Sequence, residues 1–228
     1  TNVWGLSKLV LELRQRDYLK RFVNIGTSEL YGSTEAPAKE TDPYKASSPY
    51  AISKAAFDQY LVTMHKSFGF PMNIVRPSNC IVEGQQLYRV VPKAIVCALS
   101  GKKLPLQGGG KAMKSYLHAT DLSRAVLDVV EKAELGKIYN VAPAAPITIR
   151  SLVATTAQAC ATPPEELAEE APDRVGQDAK YGLDATAIAR DLGWIQTLNM
   201  ARAVQGMVAW VRKYPELLTM DTAYRHRA

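Results

Sequence analysis

The sequence predicts an α/β protein built on a parallel sheet. Three observations carry that expectation. Short, mostly apolar runs alternate with longer helical patterns, first as Phe22–Ile25, 50–68 and 72–76. The same order recurs at 115–118, 121–133 and 137–141. Runs of four or five residues between helices are what strands buried on both faces look like. Hydrophobic residues make up 47% of the 228-residue chain and charged residues 22%, which fits a globular domain with a sizeable core rather than a disordered chain.

Each element has its own signal. Residues 1–16 form an amphipathic helix with Thr1 or Asn2 near its cap and Val3, Leu6, Val10 and Leu13 on one face. Phe22–Ile25 is a buried strand that opens into Gly26-Thr27-Ser28. Gly32, Pro37, Pro43 and Pro49 mark a loop over 32–49, and Pro49 pre-sets the first turn of a helix over 50–68 that Gly69 stops. After the strand at 72–76, a helix over 90–100 places Val91, Ile95 and Leu99 on one face. Leu104–Gln107 runs into the Gly108-Gly109-Gly110 turn. Asp121 caps the helix after the 115–118 strand, and Thr148 caps a helix that ends at Cys160. Residues 162–173 are rich in Pro and Glu and read as irregular. Asp184 caps a short helix ended by Gly193, and Asn199 caps a last helix reaching Tyr214. There is no internal repeat.

Composition narrows the class of function. The 28 basic and 22 acidic side chains leave a formal charge of +6, spread without a dense run. The tail Arg225-His226-Arg227 is too short to suggest nucleic-acid binding, so the balance favours a small phosphorylated ligand. No stretch approaches the ~18 apolar residues of a membrane helix. Cys80, Cys97 and Cys160 are odd in number and lack a C-x-x-C spacing, which fits a reducing cytosol rather than a disulfide framework or zinc site. His65, His118 and His226 are too scattered for a His-based metal site.

Tyr50-Ala51-Ile52-Ser53-Lys54 carries the first chemistry. At i and i+4 the phenol and the ammonium share one helix face, and a nearby ammonium favours phenolate. Such a Tyr can take a proton from a substrate hydroxyl. The spacing alone fits a surface Lys beside a half-buried Tyr better than it fits a catalytic pair.

The surrounding residues resemble the extended short-chain dehydrogenase/reductase superfamily. Thr27-Ser28-Glu29-Leu30-Tyr31-Gly32 after a strand and Ser48-Pro49-Tyr50 before the Lys are similar to its strand-end hydroxyl and its "P-Y-x-x-S-K" helix. Arg76-Pro77-Ser78-Asn79 resembles its next strand end. Tyr116-Leu117-His118-Ala119-Thr120-Asp121 is similar to its "Y-V-x-D" step, one residue longer, and Gly136-Lys137-Ile138-Tyr139-Asn140-Val141 resembles its "G-x-x-Y-N-V/I" strand. The resemblance implies a partial Rossmann-like, doubly wound parallel sheet with a smaller C-terminal α/β substrate-binding region. Residues 1–81, with 115–141 returning, would form the C-terminal half of the NAD-binding domain. Residues 82–114 and 142–228 would bind a nucleotide-diphosphate sugar.

Within the superfamily, Thr27-Ser28-Glu29 and the stretch Asp173-Arg174-Val175-Gly176-Gln177-Asp178 point to the nucleotide-sugar 4,6-dehydratase type, as does Leu192-Gly193-Trp194. That type implies Thr27, Ser28, Glu29, Tyr50 and Lys54 as catalytic residues. It implies Tyr50, Lys54, Pro77 and Ser78 at the NAD, and Asn79, Arg89, Lys114 and Arg174 at the substrate. Glu29 would remove the C5 proton once C4 is a ketone; as an ordinary loop residue it would pair with a Lys. A homodimer through the helices at 1–16 and 50–68, without nucleic acid or membrane partners, completes the expectation.

Several residues depart from the pattern. Ser28 stands where this type commonly has Asp, and Cys80-Ile81-Val82-Glu83 replaces "N/V-Y-G-P". Lys114 replaces an Arg, Gln107 an aromatic and Gln177 a His. These leave a UDP-glucuronate decarboxylase or a 4-epimerase open, together with a non-catalytic binding or assembly module. The family's Gly-rich phosphate loop has no match, because Gly108-Gly109-Gly110 lies in another context. With no initiator Met, the expectation is a chain that begins inside a longer protein, lacking roughly its first hundred residues.

Overall fold

The structure, a computed structural model, describes residues 1–172 and 180–223. Helix α1 (Trp4–Leu13) precedes β1 (Phe22–Ile25), a 3-10 turn at Ser28–Tyr31, α2 (Pro49–Phe68), β2 (Met72–Pro77) and β3 (Asn79–Ile81). There follow α3 (Val90–Leu99), β4 (Leu104–Gln107), β5 (Met113–Lys114), β6 (Tyr116–His118), α4 (Ala119–Lys132) and β7 (Ile138–Val141). The chain continues through β8 (Ile147–Thr148), α5 (Ile149–Cys160), α6 (Pro164–Leu167), β9 (Ala168–Ala171), β10 (Lys180–Tyr181), α7 (Thr186–Leu192) and α8 (Met200–Lys213).

The central sheet has the order β1-β2-β7 and is parallel throughout, with Phe22 opposite Met72 and Ile74 opposite Ile138. Its two faces are covered by different helices, because successive side chains of β2 point to opposite sides. Ile74 packs with Val10, Phe57, Leu61 and Phe70 beneath α1 and α2. Val75 packs with Ala125, Val129, Ile188 and Trp194 beneath α4 and α7. This is a Rossmann-like, doubly wound arrangement. Each of Phe57, Leu61, Ile74 and Val75 is fully buried, which stabilises the fold by roughly 1.5–3 kcal/mol per side chain. A further core joins α3, α5 and α8 through Ile95, Leu152, Val204 and Met207. The short parallel pair β3–β6 connects it to the sheet, since Ile81 and Tyr116 belong to the same cluster.

Local chemistry explains most boundaries. Ser48 accepts the Ala51 N–H at 3.1 Å, Pro49 occupies the first turn of α2, and Gly69 ends the helix in the left-handed region. Thr148 and Asn199 cap α5 and α8 as expected. Other expectations need correction. Helix α1 starts at Trp4 without a side-chain cap, because Val3 stands at the cap position; Asn2 donates to Ser53 Oγ on α2 at 3.0 Å. Asp121 is not the cap of α4: the helix begins at Ala119, and His118 Nδ1 accepts the Thr120 N–H. Asp184 takes the Thr186 N–H at 2.8 Å from one position outside the cap of α7. Within 162–172 the chain is not irregular, since it contains α6 and β9, and β9 pairs in parallel with β4; residue 173 lies outside the described residues.

Candidate active site

The parallel sheet directs the C-terminal ends of β1 and β2 toward the first turns of α2. Thr27 follows β1 with extended backbone, and its Oγ1 accepts the Glu29 N–H at 3.3 Å, which starts the 3-10 turn. The turn ends at Gly32, whose φ of +64° lies in the left-handed region. A Cβ there would stand 2.3 Å from the Lys45 carbonyl oxygen. Gly32→Ala is therefore expected to cost about 2 kcal/mol or more, through strain and a backbone clash. The check is a urea denaturation midpoint beside that of wild type.

Thr27 and Tyr50 are hydrogen-bonded to each other. Tyr50 is 49% exposed as a residue, while Thr27 and Ser28 are buried. Burial pushes the Tyr50 phenol above its ordinary pKa; the Thr27 hydrogen bond opposes this, the charge of Glu29 adds to it, and Arg89 counteracts it. Lys54 Nζ donates to the Ile25 carbonyl at the end of β1 at 2.5 Å. Burial lowers the Lys54 pKa, and the carboxylate of Asp58 opposes that shift. The Lys54 ammonium is held at the strand end, and Arg89 is a cation whose charge also acts on the phenol.

The structure brings Thr27, Glu29, Tyr50 and Arg89 into one electrostatic neighbourhood and anchors Lys54 beside it. Pro77 ends β2, and the next residue, Ser78, is buried with a hydroxyl that has no hydrogen-bond partner among the described residues. Asn79 opens β3, and its amide donates to the Ser115 carbonyl at 3.2 Å. Lys114 lies on β5, between β10 and β8. Arg174 lies outside the described residues. The Cys80 thiol is half-buried, and burial pushes its pKa up to about 11.

Sequence reasoning missed the groups behind the site. Arg76 and Asp58 are both fully buried and form an ion pair at 2.9 Å. Asp58 falls one helical turn after Lys54, so the stripe Tyr50, Lys54, Asp58 at i, i+4 and i+8 was a usable signal. Ser115, buried with an unpartnered hydroxyl, carried no such signal.

A strand-end threonine bonded to the tyrosine of a Tyr-x-x-x-Lys helix, on a doubly wound parallel sheet, defines a short-chain dehydrogenase/reductase-type protein. The comparisons with known proteins agree. The chain belongs to the NAD dependent epimerase/dehydratase family, whose model matches residues 1–142. It is 31% identical over 215 residues to a dTDP-glucose 4,6-dehydratase of Streptomyces griseus, covering 94% of this chain and 65% of that one. It is 35% identical over 207 residues to the Neisseria gonorrhoeae dTDP-glucose 4,6-dehydratase, covering 83% and 59%. The crystal structure of a Streptomyces venezuelae dTDP-glucose 4,6-dehydratase with NAD bound superposes with a TM-score of 0.89 at 28% identity, over 95% of this chain and 67% of that one. The chain thus spans about two thirds or less of the length of these relatives.

Proposed function

We propose that the protein to which this chain belongs is an NAD-dependent nucleotide-sugar 4,6-dehydratase. The observation that carries this reading is Glu29, a carboxylate acting electrostatically on Tyr50 and two residues from the Thr27 that bonds it. At C4 the Tyr–Thr pair handles only the proton, the hydride going to NAD, whereas removing the C5 proton needs a second base beside it. The residues fit the nicotinamide end of NAD. Ser78 presents a buried, unpartnered hydroxyl next to Pro77, and Tyr50 and Lys54 lie at the neighbouring strand end. When bound, NAD would supply hydride acceptance from C4 and its return to C6 once water has left, with the proton going back to C5, so the reaction is redox-neutral overall.

The chain's own residues do the rest. Thr27 holds the C4 oxygen, and Tyr50 takes the proton of the C4 hydroxyl. Lys54 is the donor to the nicotinamide ribose. Glu29 removes the C5 proton, made acidic by the adjacent ketone, and Ser28 assists departure of the C6 hydroxyl as water. Asn79, Arg89, Lys114 and Arg174 hold the nucleotide diphosphate, for which guanidinium forks are suited. We assign 82–114 and 142–228 to the sugar-nucleotide side and 1–81 with 115–141 to the cofactor side. The exposed apolar side chains Trp4, Leu11 and Ile52 on α1 and α2 support a homodimer through these helices. The free cysteines support a reducing cytosol.

The test uses the full-length protein with NAD and, separately, dTDP-glucose, GDP-mannose, CDP-glucose and UDP-glucuronate. Mass spectrometry is expected to show loss of water from one of them. Loss of carbon dioxide from UDP-glucuronate, or a change of stereochemistry without change of mass, overturns the reading. Glu29→Gln is expected to lower product formation about 10²–10⁴-fold and to abolish deuterium incorporation at C5 from heavy water. Retained incorporation would show that another group is the base.

A further inference from the structure

The loop bearing Thr27 and Glu29 and the helix bearing Tyr50 and Lys54 are separate elements whose side chains must meet. Arg76 stands on β2 behind both. Its Nε donates to Asp58 Oδ2 on α2 at 2.9 Å, and the other Asp58 oxygen accepts from Asn24 Nδ2 on β1 at 2.8 Å. On the opposite side, one terminal nitrogen of Arg76 donates to the Tyr31 hydroxyl at 2.6 Å and to the Glu40 carbonyl at 3.3 Å. The other terminal nitrogen donates to the Tyr44 hydroxyl. Tyr31 donates in turn to Asn140 Oδ1 on β7 at 3.0 Å, and the Asn140 N–H donates to Glu40 Oε1 at 2.8 Å. Gly26, the residue before Thr27, packs closely on this pair: a Cβ would lie 3.0 Å from Arg76 Cγ and 3.2 Å from Asp58 Oδ2, so a side chain there would push on both.

We propose that Arg76 is a positioning residue for the reaction: it ties α2 to the loop from Thr27 to Tyr44 and thereby sets the meeting of Thr27 with Tyr50. The proposal deepens the dehydratase reading and rests on it for its kinetic consequence. A buried ion pair contributes little net stability and can often be replaced by uncharged groups of similar volume. What a guanidinium adds is direction, because its planar donors fix several acceptors at once. Here those acceptors belong to the two elements that carry the proton-transfer groups. Burial works against the guanidinium, but Tyr31, Asp58 and Tyr44 outweigh it and keep Arg76 charged.

The experiment compares the full-length wild type with Arg76→Met/Asp58→Asn, in which both buried charges are removed together. The urea midpoint is expected to stay near that of wild type. The kcat for the dehydrated product is expected to fall about a hundredfold, the effect of a misplacement of about 1 Å, with KM within about twofold. Tyr44→Phe cuts one anchor and leaves the ion pair intact; a three- to tenfold loss of kcat, roughly a partial version of the same effect, is expected. That variant decides the question where the double variant does not fold. Wild-type kcat per folded molecule in the deciding variant overturns the proposal. Hydrogen exchange needs no substrate: amides 27–32 are expected to exchange roughly tenfold faster or more, with β2 unchanged. Unaltered exchange at 27–32 overturns the tether even if no sugar nucleotide is dehydrated, so the tether and the activity fail separately.

Discussion

Tyr50→Phe is expected to lower the kcat of the full-length enzyme by about 10²–10⁴-fold, which is the usual contribution of a positioned general acid or base. In barrier terms this is roughly 3–5 kcal/mol. The substitution removes only the hydroxyl that bonds Thr27 and leaves the ring in place. Because the residue is 49% exposed, the denaturation midpoint should hardly move, within about 0.5 kcal/mol. Rate and stability must therefore separate. Equal losses in both would mean that Tyr50 is part of the scaffold and not of the chemistry. Thr27→Val removes the same contact from the other side but also the acceptor of the Glu29 N–H, so its rate loss is read beside its own urea midpoint.

The second large effect is on stability. Asp121 is fully buried, and its carboxylate accepts from the Thr197 N–H at 3.1 Å, the Thr197 hydroxyl at 2.6 Å, the Leu198 N–H at 2.9 Å and Arg124 at 2.9 Å. Its backbone carbonyl accepts from the buried Trp194 indole. One residue thus pins the segment between α7 and α8 onto the first turn of α4. Asp121→Ala strands two backbone donors and is expected to cost about 2–4 kcal/mol, read from the urea midpoint. Asp121→Asn, which keeps an acceptor, should cost less. Burial pushes this carboxyl up, but the hydrogen bonds from Thr197, Leu198 and Arg124 outweigh it and hold the pKa below its ordinary value. The contribution is therefore complete above the unfolded value of about 3.9 and is lost as pH falls through the lower, folded one. The difference between wild type and Asp121→Ala should shrink over that acid range. A difference independent of pH would mean that packing, not the carboxylate, carries the effect.

Asp121 also shows where sequence patterns stop. An Asp ahead of a helical run reads as a cap, and here the expected partner was local. Apart from Arg124, its partners lie more than seventy residues away, and His118 does the capping. The strand β9 was hidden for a related reason. Its sequence Ala-Glu-Glu-Ala has poor strand propensity and one short partner, so it exists only because Leu104–Gln107 offers a ladder. The strands β5, β8 and β10 have two residues each, too few to show any period. By contrast α2 was legible at both ends, since Ser48, Pro49 and Gly69 act on their own backbone within a few residues.

By itself the sequence determined the alternation of strands and helices, the ends of α2, and the candidates Thr27, Glu29, Tyr50 and Lys54. The first two follow from local rules, apolar periodicity and caps; the candidates follow from the resemblance of the residues around Thr27–Glu29 and Tyr50–Lys54 to the family's motifs. Tertiary structure decided what those candidates touch. It bonded Tyr50 to Thr27, turned Lys54 toward the Ile25 carbonyl and brought Arg89 within reach of the phenol. It also buried Arg76 where one guanidinium reaches both halves of the site. A side chain's charge environment depends on distances between elements far apart in the chain, and those distances exist only once the sheet has closed around them.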